Sequence, residues 1–264
     1  MSSGLAGLVL AAGSGTRLRP LTQLRPKPLC PLGSTTLLDL ALGRVAPNVD
    51  GGALAVNAHH LADQIVAHVG DRAHVSVEQP RALGTAGAVG ALRGWLDGRD
   101  VMVANGDAFC LPEPDLDRFV ADWDHDRPRL LVVEDHEHAD FDGRWRFAGV
   151  SLLPASVAAT LAPEPSGLYE AVWRSTTLDL VSTDVSFVDC ADPAAYLQAN
   201  LLWSAGESVI GAGAVVAGEV ERCVVWPDAT VAAGERLVDV VRARDAAGQP
   251  VTVPARGGDA GSLR

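Results

Sequence analysis

Short apolar runs alternate with amphipathic stretches along most of this chain. Leu8-Val9-Leu10, Ala53-Leu54-Ala55-Val56, His74-Val75-Ser76-Val77, Val101-Met102-Val103-Ala104 and Leu130-Leu131-Val132-Val133 each read as a strand, most of them buried. Between them Leu38, Ala41, Leu42 and Val45 recur at helical spacing, as do Leu61, Ile65 and Val69. Thr85 is placed to cap a helix whose apolar face is Ala88, Ala91, Leu92 and Trp95, and Asp115 to Asp124 reads as a further, polar-faced helix. Asp192 followed by Pro193 opens a last helix, with Ala195, Ala199 and Leu202 on one face. This alternation of strand and helix predicts an α/β fold, a doubly wound and mostly parallel sheet.

From Ile210 the texture changes. Ile210 and Val216 stand six apart, as do Val225, Val231 and Leu237, with Gly and Ala between them. Hexapeptide spacing predicts left-handed β-helix coils, about two at most. So short a solenoid needs support and is expected to pack on the rest of the chain or on a second copy. The predicted organisation is a main domain over 1–203, the extension over 204–245 and a disordered end over 246–264, which is rich in Gly, Ala and Pro.

Composition narrows the class. The 264 residues carry a formal net charge of −12, which argues against nucleic acid or an anionic membrane surface as partner. No stretch approaches a membrane span and no basic segment precedes an apolar one at the start, so a cytoplasmic protein is expected. Cys30, Cys110, Cys190 and Cys223 are widely separated, without a C-x-x-C, and read as reduced structural thiols. His59-His60 reads as a helix-entry pair with no metal role.

The densest chemistry lies in Gly7 to Leu29, GLVLAAGSGTRLRPLTQLRPKPL. The first apolar run empties into small residues, Ala11 to Gly15, that leave a backbone bare enough to approach a phosphate. A P-loop needs Gly-x4-Gly-Lys-Ser/Thr, which is absent, and the dinucleotide fingerprint needs a third glycine where Leu18 stands. Arg17 and Arg19 follow, and then Pro26-Lys27-Pro28 holds a lysine between two residues that fix φ. Lys27 is the only lysine beside twenty arginines, so a compact point charge is required there rather than a planar fork.

Gly13-x-Gly15-Thr16-Arg17 with Pro20-Leu21-Thr22 and Pro26-Lys27-Pro28 resembles the N-terminal motif of the sugar-1-phosphate nucleotidyltransferases, and the likeness extends from residue 5 to about 240. The resemblance implies the nucleotide-diphospho-sugar transferase type of sheet, a nucleoside triphosphate and a sugar 1-phosphate as substrates, and Mg2+. In that family the loop wraps the triphosphate, which assigns Leu10, Ala12, Gly13, Gly15 and Thr16 to the nucleotide and Arg17 and Lys27 to its phosphates. Gln79, Gly84 and Thr85 fall in the loop that touches base and ribose. There the cues conflict: Leu83-Gly84-Thr85-Ala86-Gly87 resembles guanylyltransferases that use mannose 1-phosphate, while Gln79 and Gly84 stand at the spacing of glucose-1-phosphate thymidylyltransferases. Asn105-Gly106-Asp107 closes an apolar strand, and ligands of open α/β sheets bind at such carboxyl ends. Asp107 matches the family's Mg2+-binding aspartate, and Asp189 lies in register with a second. Gly149, in Phe147-Ala148-Gly149-Val150, resembles a glycine placed near the sugar, and Glu170 is the candidate acid for its hydroxyls.

Two departures stand out. Many members carry a Glu-Lys-Pro element for the sugar, which this chain cannot, its one lysine being Lys27. Cys190-Ala191-Asp192 also replaces the family's usual turn after Asp189, although Tyr196-Leu197-x-Ala199-Asn200 is retained. A nucleotide-sugar sensor without catalysis would not need Arg17, Lys27, Asp107 and Asp189 together, and a glycosyltransferase of related fold would show Asp-x-Asp where Asp107-Ala108-Phe109 stands.

Overall fold

The computed structural model describes residues 4–255. The chain divides into two units, residues 1–14 with 38–187, and residues 15–37 with 188–264. This division differs from the expected boundary at residue 203: residues 188–203 group with the C-terminal coil, not with the sheet.

The first unit is built on seven strands: β1 (Leu5–Leu10), β2 (Leu54–Ala58), β3 (His74–Val77), β4 (Asp100–Asn105), β5 (Arg129–Glu134), β6 (Trp145–Leu153) and β7 (Asp179–Ser182). Their order is β7-β5-β6-β4-β1-β2-β3. β1 runs parallel to β2 and β4, β2 to β3, and β5 to β7, while β6 is antiparallel to both its neighbours. The sheet is the mostly parallel one that the alternation predicted. β1 and β4 are buried almost throughout, which is why they read as unbroken apolar runs and not as alternating ones. Helix α1 (Leu37–Val45) buries Leu38, Ala41, Leu42 and Val45, the i, i+3, i+4, i+7 stripe seen in the sequence. Helix α2 (Ala62–Val69) buries Ile65 and Val69, and α3 (Gly84–Ala91) packs into the main core through Ala86, Ala88 and Val89.

In the second unit, α4 (Pro193–Trp203) opens as predicted: the Asp192 carboxylate accepts from the Ala195 N–H at 3.0 Å and Pro193 occupies the first turn. Seven short strands follow: β8 (Val209–Ile210), β9 (Val215–Val216), β10 (Glu219–Glu221), β11 (Val224–Val225), β12 (Thr230–Val231), β13 (Arg236–Val238) and β14 (Val240–Arg244). They stack in parallel as β8-β11-β14, β9-β12 and β10-β13, three faces of a short β-helix-like coil. Val225, Val231 and Leu237 fill its interior with Cys223 and Ala229. Ile210, expected to point inward, is 45% exposed, and Val209 takes the buried place. The predicted disordered end is also corrected. Pro250–Pro254 forms β15, antiparallel to β14, and Val253 is buried on it. Its two prolines suit an edge strand, where one side needs no N–H donors. Residues 256–264 of that expectation lie outside the described residues.

All four cysteines are buried and none is in a disulfide. No helix among the described residues is long and apolar enough to cross a membrane.

Candidate functional site

β1 is the strand at which the sheet's order reverses, with β4 on one side and β2 on the other, and ligands of such sheets bind outside the carboxyl ends of the strands at that point. In register, Leu10 at the end of β1 lies opposite Asn105 of β4 and Asn57 of β2. The turn after β4 is fixed by a close approach. Gly106 donates its N–H to the Leu10 carbonyl at 2.9 Å, and a Cβ at 106 would come within 2.6 Å of that oxygen. The glycine of Asn-Gly-Asp is therefore a requirement of packing at this edge, and the half-buried Asp107 follows it directly after the strand.

Two polar residues that the sequence reading passed over connect this edge to the next loop. The Ala11 N–H donates to Asn57 Oδ1 at 2.6 Å, Asn57 Nδ2 donates to Glu78 Oε1 at 2.7 Å, and Glu78 Oε2 accepts from the Leu83 N–H at 2.7 Å. Asn57 and Glu78 are 2% and 3% exposed, so this buried carboxylate is held by neutral N–H groups. The signal was a polar residue inside an apolar strand, Leu-Ala-Val-Asn-Ala, followed by a glutamate at the end of the neighbouring strand.

Helix α3 has glycine at 84, 87 and 90, three residues apart. A Cβ at these positions would come within 2.5 Å of the Ser166 carbonyl oxygen, 2.2 Å of that of Glu164 and 2.4 Å of that of Ala162. The helix is thus bare on one side so that the backbone of 162–166 can lie against it, and Ser166 bonds back to Leu83 and Ala86. Thr85 is not the N-cap expected of it. Leu83 precedes the helix without a side-chain cap, and the Thr85 hydroxyl instead accepts from the Leu168 N–H at 2.7 Å.

Beside this junction is a cavity of about 260 Å3 lined by four residues singled out in the sequence, Leu10, Thr85, Asn105 and Glu170, together with Phe147, Tyr169 and Trp173. Ser151 and Trp173 also line it, and the Ser151 hydroxyl and Trp173 indole N–H are buried without a protein partner. Gly149, at φ +81°, has its Cβ position 3.6 Å from Asn105 Cβ. Gln79 and Gly84 are exposed on the loop before and at the start of α3, outside the cavity wall. Ala12 is buried and Gly13 exposed at the exit of β1.

The other sequence candidates belong to the second unit. Gly15 adopts φ +56°, and a Cβ there would press on Thr22 Cγ2 at 2.7 Å. The Thr22 hydroxyl donates to the Gly15 carbonyl at 2.8 Å. Thr16 and Arg17 follow, exposed, in a single 3-10 turn. Lys27 is 7% exposed, and its ammonium lies 3.4 Å from Asp189 Oδ1. The structure thus brings together the lysine assigned to phosphate and an aspartate assigned to metal. Burial pushes the neighbouring Cys30 thiol up to about 12, against an opposing pull from the charges of Arg25 and Lys27.

The family model described as Nucleotidyl transferase matches residues 6–141, which is 136 of 264 residues. The chain belongs to this family. Among curated relatives, it is 37% identical over 137 residues to N-acetylmuramate alpha-1-phosphate uridylyltransferase of Caulobacter vibrioides, covering 48% of this chain and 56% of that protein. It is 36% identical over 112 residues to glucose-1-phosphate thymidylyltransferase of Streptomyces griseus, covering 40% of this chain and 31% of that one. The match therefore spans about half of the first relative's length and less than a third of the second's. In fold, the chain resembles the crystal structure of mannose-1-phosphate geranyltransferase from Thermus thermophilus, with a TM-score of 0.72 at 18% identity, covering 96% of this chain and 95% of that one.

For this nucleotidyl transferase family member, the matched span contains the glycine loop, Lys27, the loop at 79–87 and Asp107. Gly149, Glu170 and Asp189 lie beyond it. Among the described residues no group of three or more His, Cys, Asp or Glu stands close enough to hold a metal ion, so Asp107 supplies a single carboxylate at this edge.

Proposed function

We propose that the protein transfers a nucleotidyl group from a nucleoside triphosphate to a sugar 1-phosphate. The observation that carries this reading is the cavity at the carboxyl ends of β1 and β4, which gathers Leu10, Thr85, Asn105 and Glu170 in a chain of this family. A phosphate oxygen of the sugar 1-phosphate attacks the α-phosphorus, the bond from that phosphorus to the bridging oxygen breaks, and pyrophosphate leaves with the electron pair. Positioning and charge neutralisation supply most of the catalysis in such a transfer. Lys27 and Arg17 are assigned to the phosphates, the glycine loop to the nucleotide, Glu170 to the sugar hydroxyls and Asp107 to Mg2+. When bound, the ion neutralises phosphate charge that an acidic protein otherwise repels. Asp189 keeps its metal assignment by resemblance alone, since its neighbour in the second unit is Lys27.

The first choice of substrates is GTP with mannose 1-phosphate, from Leu83-Gly84-Thr85-Ala86-Gly87 at the start of α3. Gly84 and Gly87 each answer a packing need as well, which weakens that cue. A second reading, UTP or dTTP with another sugar, is favoured by Gln79 and by curated relatives that are a uridylyltransferase and a thymidylyltransferase. A panel of common triphosphates against several sugar 1-phosphates, followed by pyrophosphate release, tests both. Preference for UTP or dTTP sinks the guanylyl choice, and no release with any pair sinks the function.

A further inference from the structure

We propose that Asn57 and Glu78 are a positioning pair that ties the exit of β1, where Ala12 and Gly13 are assigned to the nucleotide, to the loop entering α3 that is assigned to the base. The inference rests on the proposed nucleotidyl transfer and adds to it two residues that need not touch either substrate.

The connection is continuous and has no slack. It runs from the Ala11 N–H to Asn57 Oδ1 (2.6 Å), from Asn57 Nδ2 to Glu78 Oε1 (2.7 Å), and from the Leu83 N–H to Glu78 Oε2 (2.7 Å). Both ends are backbone N–H groups. One belongs to the first residue beyond β1 and the other to the residue before α3. The two side chains come from β2 and from the residue just beyond the parallel neighbouring strand β3, so the sheet sets their separation. The Glu78 backbone is itself fixed, its N–H donating to the Ala58 carbonyl at 2.8 Å and its carbonyl lying 2.9 Å from His59 Nδ1. A buried carboxylate is costly to maintain, and an apolar pair would fill the space more cheaply. What the carboxylate supplies is a two-oxygen acceptor whose partners must stand in one arrangement, and hence a fixed distance between two loops.

The polarity of the chain makes it testable by exchange. Asn57→Asp turns a carboxylate oxygen toward Glu78 Oε1, so two acceptors meet. With Glu78→Gln, the new amide oxygen is needed by the Leu83 N–H, so two NH2 groups meet at Asn57. The double variant Asn57→Asp with Glu78→Gln restores every link with the middle bond reversed. The carboxylate introduced at position 57 would accept from both the Ala11 N–H and the new amide at position 78, whose oxygen still accepts from Leu83.

Steady-state kinetics, nucleotide binding by calorimetry and thermal unfolding are measured on the full chain, with the triphosphate that the panel selects. Each single variant is expected to raise KM for the triphosphate about tenfold or more, with a smaller change in kcat, since mispairing one buried hydrogen bond has effects of this order. The double variant is expected to return to within about threefold of wild type. If a single variant does not fold, the double must fold and bind the triphosphate with near-wild-type affinity. Singles that keep wild-type KM, or a double no better than the worse single, overturn the pair and leave the function standing. A wild-type protein that binds triphosphate without releasing pyrophosphate removes the catalytic reading, and calorimetry on the same variants then decides the pair. A wild-type protein that binds no triphosphate overturns both.

Discussion

Each unit buries a chain of polar groups, and the two chains end differently. In the first unit, Asn57 and Glu78 end on the N–H groups of Ala11 and Leu83, both in connections between elements. In the second, the Tyr196 hydroxyl accepts from the Trp226 indole N–H at 3.1 Å and donates to the Pro31 carbonyl, while Asn200 accepts from the Gly33 N–H at 3.1 Å. Those links join α4, the antiparallel pair of Pro31–Leu32 with Thr35–Thr36, and the coil into one core, and Tyr196 is wholly buried. The same chemistry fixes loops in one place and staples elements in the other. The difference is whether the last link is a segment assigned to a ligand.

Changes among the first unit's polar residues should therefore register in catalysis, and changes within the second unit's network in stability. The largest expected effect is at Asp107. Asp107→Asn abolishes Mg2+-dependent pyrophosphate release while circular dichroism and Tm stay near wild type; retained turnover would remove Asp107 from the metal. Next comes Lys27, the second unit's exception, because its charge is assigned to the phosphates. Lys27→Ala is expected to lower kcat/KM by on the order of a hundredfold or more, and turnover near wild type would show that the glycine loop is not the catalytic one.

Tyr196→Phe should show the opposite pattern. It strands the buried Trp226 N–H, leaves the Pro31 carbonyl only its longer contact with Asn200 Nδ2 at 3.5 Å, and costs about 1–3 kcal/mol in urea unfolding, with KM for both substrates unchanged. A KM shift there without loss of stability would break the division between the units. The smallest effect is a slope. Burial raises the Cys30 thiol from 9.0 to about 12, so its contribution to stability is intact below pH 9. Between pH 9 and 12 the unfolded chain releases this proton while the folded chain keeps it, and stability declines. Cys30→Ala should flatten that part of the stability profile, and an unchanged slope would mean that Cys30 ionises as freely folded as unfolded.

Much of this was legible from pattern alone. Continuous apolar runs gave the parallel strands because both faces of each must be covered, and Asn-Gly-Asp after such a run put Asp107 just past the carboxyl end of β4. Lys27 drew attention through its scarcity. What was not legible depends on pairing across distance. Nothing local to Asn57 says that Glu78 will stand beside it, since that follows from the register of β2 on β3. Thr85 has the composition of a cap, yet its hydroxyl is claimed by Leu168, eighty-three residues away. Hexad counting found the coil but placed Ile210 one position out of phase. Proline and glycine suggested disorder for a tail whose strand could be recognised only once β14 offered it an edge.

The bare side of α3 has a mechanical meaning. With no side chains at 84, 87 and 90, the strap of 162–166 seats directly on the helix, and it runs on through Gly167 to Glu170. Helix and strap are thus packed as one piece, with the residues assigned to the base at one end and the acid assigned to the sugar at the other. On those assignments a disturbance of one half is expected to be felt at the other, and by thermodynamic linkage equally in both directions. A single methyl group wedged under the strap, as in Gly87→Ala, should accordingly loosen the hold on nucleotide and sugar phosphate together.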